Sequence, residues 1–255
     1  MTFMFSLMGN RVGHNKELDF LRKLSDDDQM RYVFIIFYGS ILYFIAEAMK
    51  SKGLMKPKTI AFSGNGARTL HVLSDDDSIV EKFAKLIFDG VYSNAKGTLQ
   101  MMMEANPKTA TCKGGIESPD SQPYDAIGSI KTVFVGNDFS HEDNQLTYAD
   151  INDKTKTEVV KSVEEFFEFL FDLHKNNQEF LVNSLSADPT IFNEVKEFCL
   201  GEEGRQLLQV SISKGISNKR QSDGVNDDTP IEETLFFYPL VGLLHDLAYK
   251  IGQMK

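Results

Sequence analysis

The sequence predicts an α/β protein that is helix-rich overall, with its strands confined to the first 140 residues. Three observations lead there. Lys58–Phe62 has strand character and runs straight into Ser63-Gly64-Asn65-Gly66-Ala67-Arg68, a turn with two glycines. Around that turn apolar residues recur at helical spacing, as in Val80, Phe83, Ala84, Ile87, Phe88 and Val91. From about residue 141 the pattern is helical with no further strands, which divides the chain into residues 1–140 and a mostly helical region, 141–255.

Composition sets the outer bounds. A chain of 255 residues is long enough for a sizeable core, as one large domain or two small ones. A hydrophobic content of 42% with 25% charged residues is ordinary for a soluble globular protein. The 37 acidic residues against 27 basic ones give a net charge of −10 and argue against a general nucleic-acid binder, which needs a basic face. Cys112 and Cys199 stand far apart and in no metal-ligand spacing, so they read as reduced cysteines of a cytoplasmic protein. No basic region follows Met1, so no signal peptide is expected.

Taken in order, residues 1–14 hold one apolar run ending in the turn Gly9-Asn10, an edge strand or a ragged start. Asn15–Leu24 reads as a short helix with Leu18, Leu21 and Leu24 on one side. Ser25 followed by three aspartates is an N-cap with acidic residues in the first turn. The helix it starts should reach Lys52 and stop at Gly53. Fifteen uncharged residues, Tyr32–Ala46, lie inside it. A membrane span needs about 20 apolar residues, so a buried core helix is the preferred reading, with Gly39 and Ser40 admitting a close neighbour.

The turn at 63–68 has two readings on glycine chemistry alone. Glycine lets a backbone approach a ligand, and a helix start presents unpaired N–H groups, which together would seat a phosphate or nucleoside. The other reading is a tight turn with no ligand. Beyond it, Ser74 and three aspartates predict a second helix running to about Asn94, its acidic start a cap rather than a metal site. Thr98–Glu104 fits a short strand whose three methionines read as core filler. Pro107 begins a helix that Gly114-Gly115 ends, residues 117–125 form a polar loop, and Ile130–Val135 is a further strand.

In that order the pieces resemble the second half of the ATPase fold shared by actin, the heat-shock chaperone ATPases and the sugar kinases, a ribonuclease H-like architecture. The resemblance covers roughly residues 25–140, with Asn106–Gly115 resembling the helix near the end of the family domain. It implies an incomplete actin-like subdomain with a helical C-terminal extension. It further implies that Ser63, Gly64, Asn65, Gly66, Ala67 and Arg68 bind the adenosine of ATP, the Arg68 guanidinium stacking on the base; a surface salt bridge is the other reading of Arg68. The family holds the phosphates with two Asp-x-Gly hairpins, and no aspartate here has glycine two residues later. Magnesium would therefore bind only if a missing half were supplied, by an N-terminal half or a partner protein.

In the helical region, Lys156–Lys175 carries an apolar face from Val159 to His174, and Asp188-Pro189 starts another helix through Cys199. Residues 214–228 read as a charged, glycine-containing mobile loop whose deletion should hardly matter. Thr229-Pro230-Ile231-Glu232 reads as a capping box opening the last helix, with a kink expected at Pro239. The five histidines are scattered; His174 and His245 read as packing residues, and His71 alone lies near the turn.

Three functions are consistent with this pattern. The first is adenine-nucleotide binding without catalysis in this chain. The second is a non-catalytic protein-interaction module. The third, a protein anchored in a membrane through residues 32–46, is the least favoured.

Overall fold

The uncharged run Tyr32–Ala46 becomes the middle of α1 (Arg31–Ser51), the helix on which much of the core is assembled. The computed structural model describes residue 27 and residues 30–62, 65–93, 97–103, 147–231 and 234–253; for residues 65–68 and Met103 it describes the backbone alone. The elements expected at 1–14, 15–24, 107–115, 117–125 and 130–135 lie outside the described residues, as does the boundary at 140.

By length and composition α1 could cross a membrane, yet half of its most apolar window is buried within the fold. Tyr32, Ile35, Ile36, Leu42 and Ala46 face α2 (Asp77–Val91), α3 (Asp153–Asn176) and α7 (Phe237–Gln253). A Cβ on Gly39 would lie 3.4 Å from Leu170 and 3.6 Å from Phe83, ordinary contact distances, so the packing of α1 on these side chains does not require glycine here. The helix ends on Gly53 with φ 69°, whose N–H donates to Lys50 O while that of Leu54 donates to Met49 O. That pair of bonds is the Schellman arrangement, and it fixes the direction in which the chain leaves the helix.

β1 (Thr59–Phe62) and β2 (Gln100–Met103) pair in parallel, Thr59 opposite Gln100 and Phe62 opposite Met103, with α2 as the crossover. Ile60, Phe62 and Met101 pack on the core, while Ala61 and Met102 sit opposite one another on the exposed face. Strand alternation thus turns Met102 outward, 60% exposed, against the expectation that the methionines fill the core. The cap of α2 is Asp76, whose side chain accepts from Ser78 N; Ser74 instead accepts from Asp76 N. Glu81 accepts from Met101 N at 2.7 Å, tying helix to strand. Lys56 pairs with Asp89, which Lys85 also holds at 2.6 Å. Burial pushes the Asp89 carboxyl up, but the two ammonium groups outweigh it and hold it below the usual carboxylate range.

The remainder is helical: a 3₁₀ turn at Tyr148–Asp150, then α3, α4 (Gln178–Asn183), α5 (Phe192–Leu200), α6 (Glu202–Asp223) and α7. The expected face of α3 is buried from Val159 to His174. Asn152 caps it, and α5 begins at Phe192, a turn after the expected Asp188-Pro189. The buried cluster takes residues from Tyr32 through Ile251, on both sides of position 140. The architecture is therefore mostly helical α/β with a small parallel sheet.

Three expectations do not hold. Residues 214–223 are no loop: they form the last turns of α6, with Ile216 buried and the chain leaving at Gly224, φ 65°. Nor does the last helix open at Thr229-Pro230, since Pro230 makes an isolated antiparallel bridge with Thr147; Glu232 lies outside the described residues. The reciprocal capping box belongs to Thr147 and Asp150. α7 begins only at Phe237, which puts Pro239 in the first turn, where its missing N–H costs no intrahelical bond and no kink is required. α6 and α7 run antiparallel at close range. A Cβ on Gly215 would lie 2.8 Å from Tyr238, one on Gly242 only 1.9 Å from Ser211 Oγ, and Lys250 reaches Glu203 at 2.8 Å.

His174 has the packing role expected of it. Its ring stacks on Phe192 with centroids 4.1 Å apart, and Nε2 lies 3.3 Å from the Tyr32 hydroxyl. Burial lowers its pKa from 6.5 to about 4. The unfolded chain therefore takes up this proton before the folded one does. The stability tied to neutral His174 is complete above about pH 6.5 and is lost as pH falls toward 4. Urea unfolding from pH 7 to 4 should show a loss of about 3 kcal/mol from this group. His174→Phe should flatten that part of the profile, and an unchanged slope would contradict the assignment.

Candidate functional site

The candidate site is built at the carboxyl end of β1. Three residues after Phe62 the chain enters the expected helix, in 3₁₀ form, Asn65–Val72. Of the six residues expected to seat a ligand, Ser63 and Gly64 lie outside the described residues. Asn65, Gly66, Ala67 and Arg68 form the first turn of the 3₁₀ element, described as backbone alone. The structure thus brings these four onto one helical turn next to the end of a parallel strand.

The far end of the element is held from α1. Arg31 is 6% exposed, and its guanidinium donates to the carbonyls of Val72 and, at 3.0 Å, Leu73. A cation there completes the carbonyls left over at the end of a helix and complements its dipole. The Tyr38 hydroxyl donates to Thr69 Oγ1. Leu70, Val72 and Leu73 are each 2% exposed. Residues 69–73 are accordingly fixed on the core, and they carry the turn at 65–68 with them. Arg31 and Tyr38 had no assigned role in the sequence. Their partners are 41, 42 and 31 residues away, so no local spacing could reveal them.

His71 stands on the same element with its side chain 40% exposed, Nδ1 at 3.9 Å from Asp77 at the start of α2. Asp76 spends its carboxylate on the α2 cap, and its pKa is lowered by the hydrogen bonds from Ser78. Among the described residues no group of three or more His, Cys, Asp or Glu is placed to hold a metal ion. Cys199 is a free thiol, 1% exposed, with its pKa pushed well up by burial, which leaves it inert as a nucleophile.

What the arrangement offers chemically is a run of backbone N–H groups after a parallel strand, the position at which ligands meet open α/β sheets. No family model, curated protein or solved structure matches the chain. The expectation of an actin-like ATPase therefore rests on the sequence pattern alone.

Proposed function

We propose that this chain binds an adenine nucleotide, ATP in the first place, at residues 63–68, as the nucleotide-side half of an actin-like ATPase that does not hydrolyse on its own. The single observation that carries the reading is the step from β1 into the 3₁₀ turn at the carboxyl end of a parallel β-α-β unit. A nucleotide would meet the backbone N–H groups that open the turn, those of Asn65 and Gly66, with Gly66 leaving room for a purine against the backbone. Hydrolysis needs phosphates and a magnesium ion held in place. In this reading both requirements fall to an N-terminal half or a partner protein, the site of action being the cytoplasm.

A second reading, a non-catalytic interaction module, is favoured by the exposed Val210, Val241 and Tyr249 on α6 and α7. Thermal unfolding separates the two. A ligand that binds only the native state at about 100 times its Kd adds about 2.7 kcal/mol of stability. ATP should therefore raise the midpoint of the native chain, while Gly66→Val should unfold at the unliganded midpoint with or without ATP. An ATP-dependent shift that survives in Gly66→Val would remove the turn from the site, and no shift in either protein would favour the interaction module.

A further inference from the structure

The connection from α1 to β1 combines charge and exposed apolar surface in a way the nucleotide reading does not use. From Ala48 through Ser74 the sequence has no aspartate or glutamate and carries Lys50, Lys52, Lys56, Lys58 and Arg68, in a chain of net charge −10. In the middle of that stretch Leu54 is 52% and Met55 88% exposed. Neither belongs to the buried cluster or packs against it.

The backbone that presents them is held in place. Beyond the two Schellman bonds at Gly53 and Leu54, the Tyr92 hydroxyl donates to Leu54 O at 3.1 Å. Lys56 is drawn inward by Asp89 and donates to Gly97 O at 3.2 Å. Its charge faces the Asp89 carboxylate that Lys85 also holds, and Lys50 donates to Val91 O at 2.8 Å. Lys52 and Lys58 are exposed and make no ion pair among the described residues. Glu47, the nearest carboxylate along α1, is half-buried.

We propose that residues 50–58 are a contact site for an anionic lipid surface, with Leu54 and Met55 entering the headgroup boundary and Lys52 and Lys58 meeting the lipid charge. The residue types favour lipid over a protein partner. Protein interfaces are depleted in lysine and enriched in arginine, aromatic residues and methionine, and of these only Met55 stands among four lysines here, whereas flexible lysine stems around a small apolar tip suit a fluid headgroup layer. The overall charge of −10 does not forbid it, because at physiological salt charges beyond about 8 Å are largely screened. The contact is peripheral: α1 keeps its place in the core and need not enter the bilayer.

The test is co-sedimentation of the full chain with vesicles of phosphatidylcholine containing phosphatidylserine, against phosphatidylcholine alone. The chain should partition at least about tenfold more strongly onto the anionic vesicles, since each lysine near such a surface is worth about fivefold. Lys52→Glu with Lys58→Glu should abolish that preference. Leu54→Ser with Met55→Ser should lower partition onto both vesicles, and neither pair should move the thermal midpoint because all four side chains are exposed. Equal or no partition onto the two vesicles would overturn the proposal, as would charge-reversed protein sedimenting like the native chain. Capture on immobilised polyglutamate without sedimentation on vesicles would overturn it in favour of an acidic protein segment.

Discussion

Deleting residues 214–228 should remove most of the stability of the fold, a loss of about 5 kcal/mol or more. The segment takes away the last turns of α6, including buried Ile216, and Gly215, whose lack of a side chain lets Tyr238 of α7 lie against the helix. It also takes away Arg220, which donates to Tyr148 O at 3.0 Å and pairs with Asp227 at 2.8 Å. The carbonyl of Asp227, which accepts from Ala149 N, goes with it. Those contacts hold the 3₁₀ turn before α3 against the end of α6. Urea unfolding should show the transition at far lower denaturant, or no cooperative transition at all. A midpoint near that of the full chain would mean that α6 is expendable beyond residue 213.

The largest effect of a point substitution is expected at Phe166. Its ring is fully buried on α3, with centroids 5.3 Å from Tyr43 of α1, 5.3 Å from Phe167 and 6.2 Å from Phe236 ahead of α7. Two other parts of the chain, α1 and the segment ahead of α7, close on this one side chain. Phe166→Ala loses the transfer energy of the ring and leaves a cavity that rigid neighbours cannot fill, which costs about 3–5 kcal/mol. Phe166→Leu should recover more than half of that loss, since most of the volume returns. Equal loss in both variants would point to aromatic geometry rather than volume as the source.

How much of this was legible in the sequence depends on how wide each buried stripe is. α2 and α3 show broad apolar faces, Val80 to Val91 and Val159 to His174, so their period reads directly. α6 buries only Gly204, Leu208, Ile212 and Ile216, a stripe one residue wide at every fourth position. Between and after those positions lie mostly Ser, Asn, Lys, Arg and Gln, which resemble a loop when the stripe is overlooked. The four-residue repeat was the signal that could have found it. Pro239 misled for another reason: a proline interrupts a helix only beyond its first turn, and the true start at Phe237 is set by tertiary packing.

At the candidate site the strand and the turn after it were readable from Lys58 to Arg68, because both are local. The 3₁₀ form of Asn65–Val72 was not, since α and 3₁₀ helices share the same starting residues. The anchoring of Val72 and Leu73 by Arg31 was invisible for want of any local pattern.

Adenosine, being the ligand with no phosphate at all, puts the sharpest question to residues 63–68. Calorimetric titration of the purified chain with adenosine and with ATP, without added metal, should give saturable binding of both with affinities within about tenfold, or 1.4 kcal/mol, of each other. That is the result of a seat shaped for the base and ribose alone. No heat with either ligand, or binding of ATP that adenosine cannot match or displace, would contradict it.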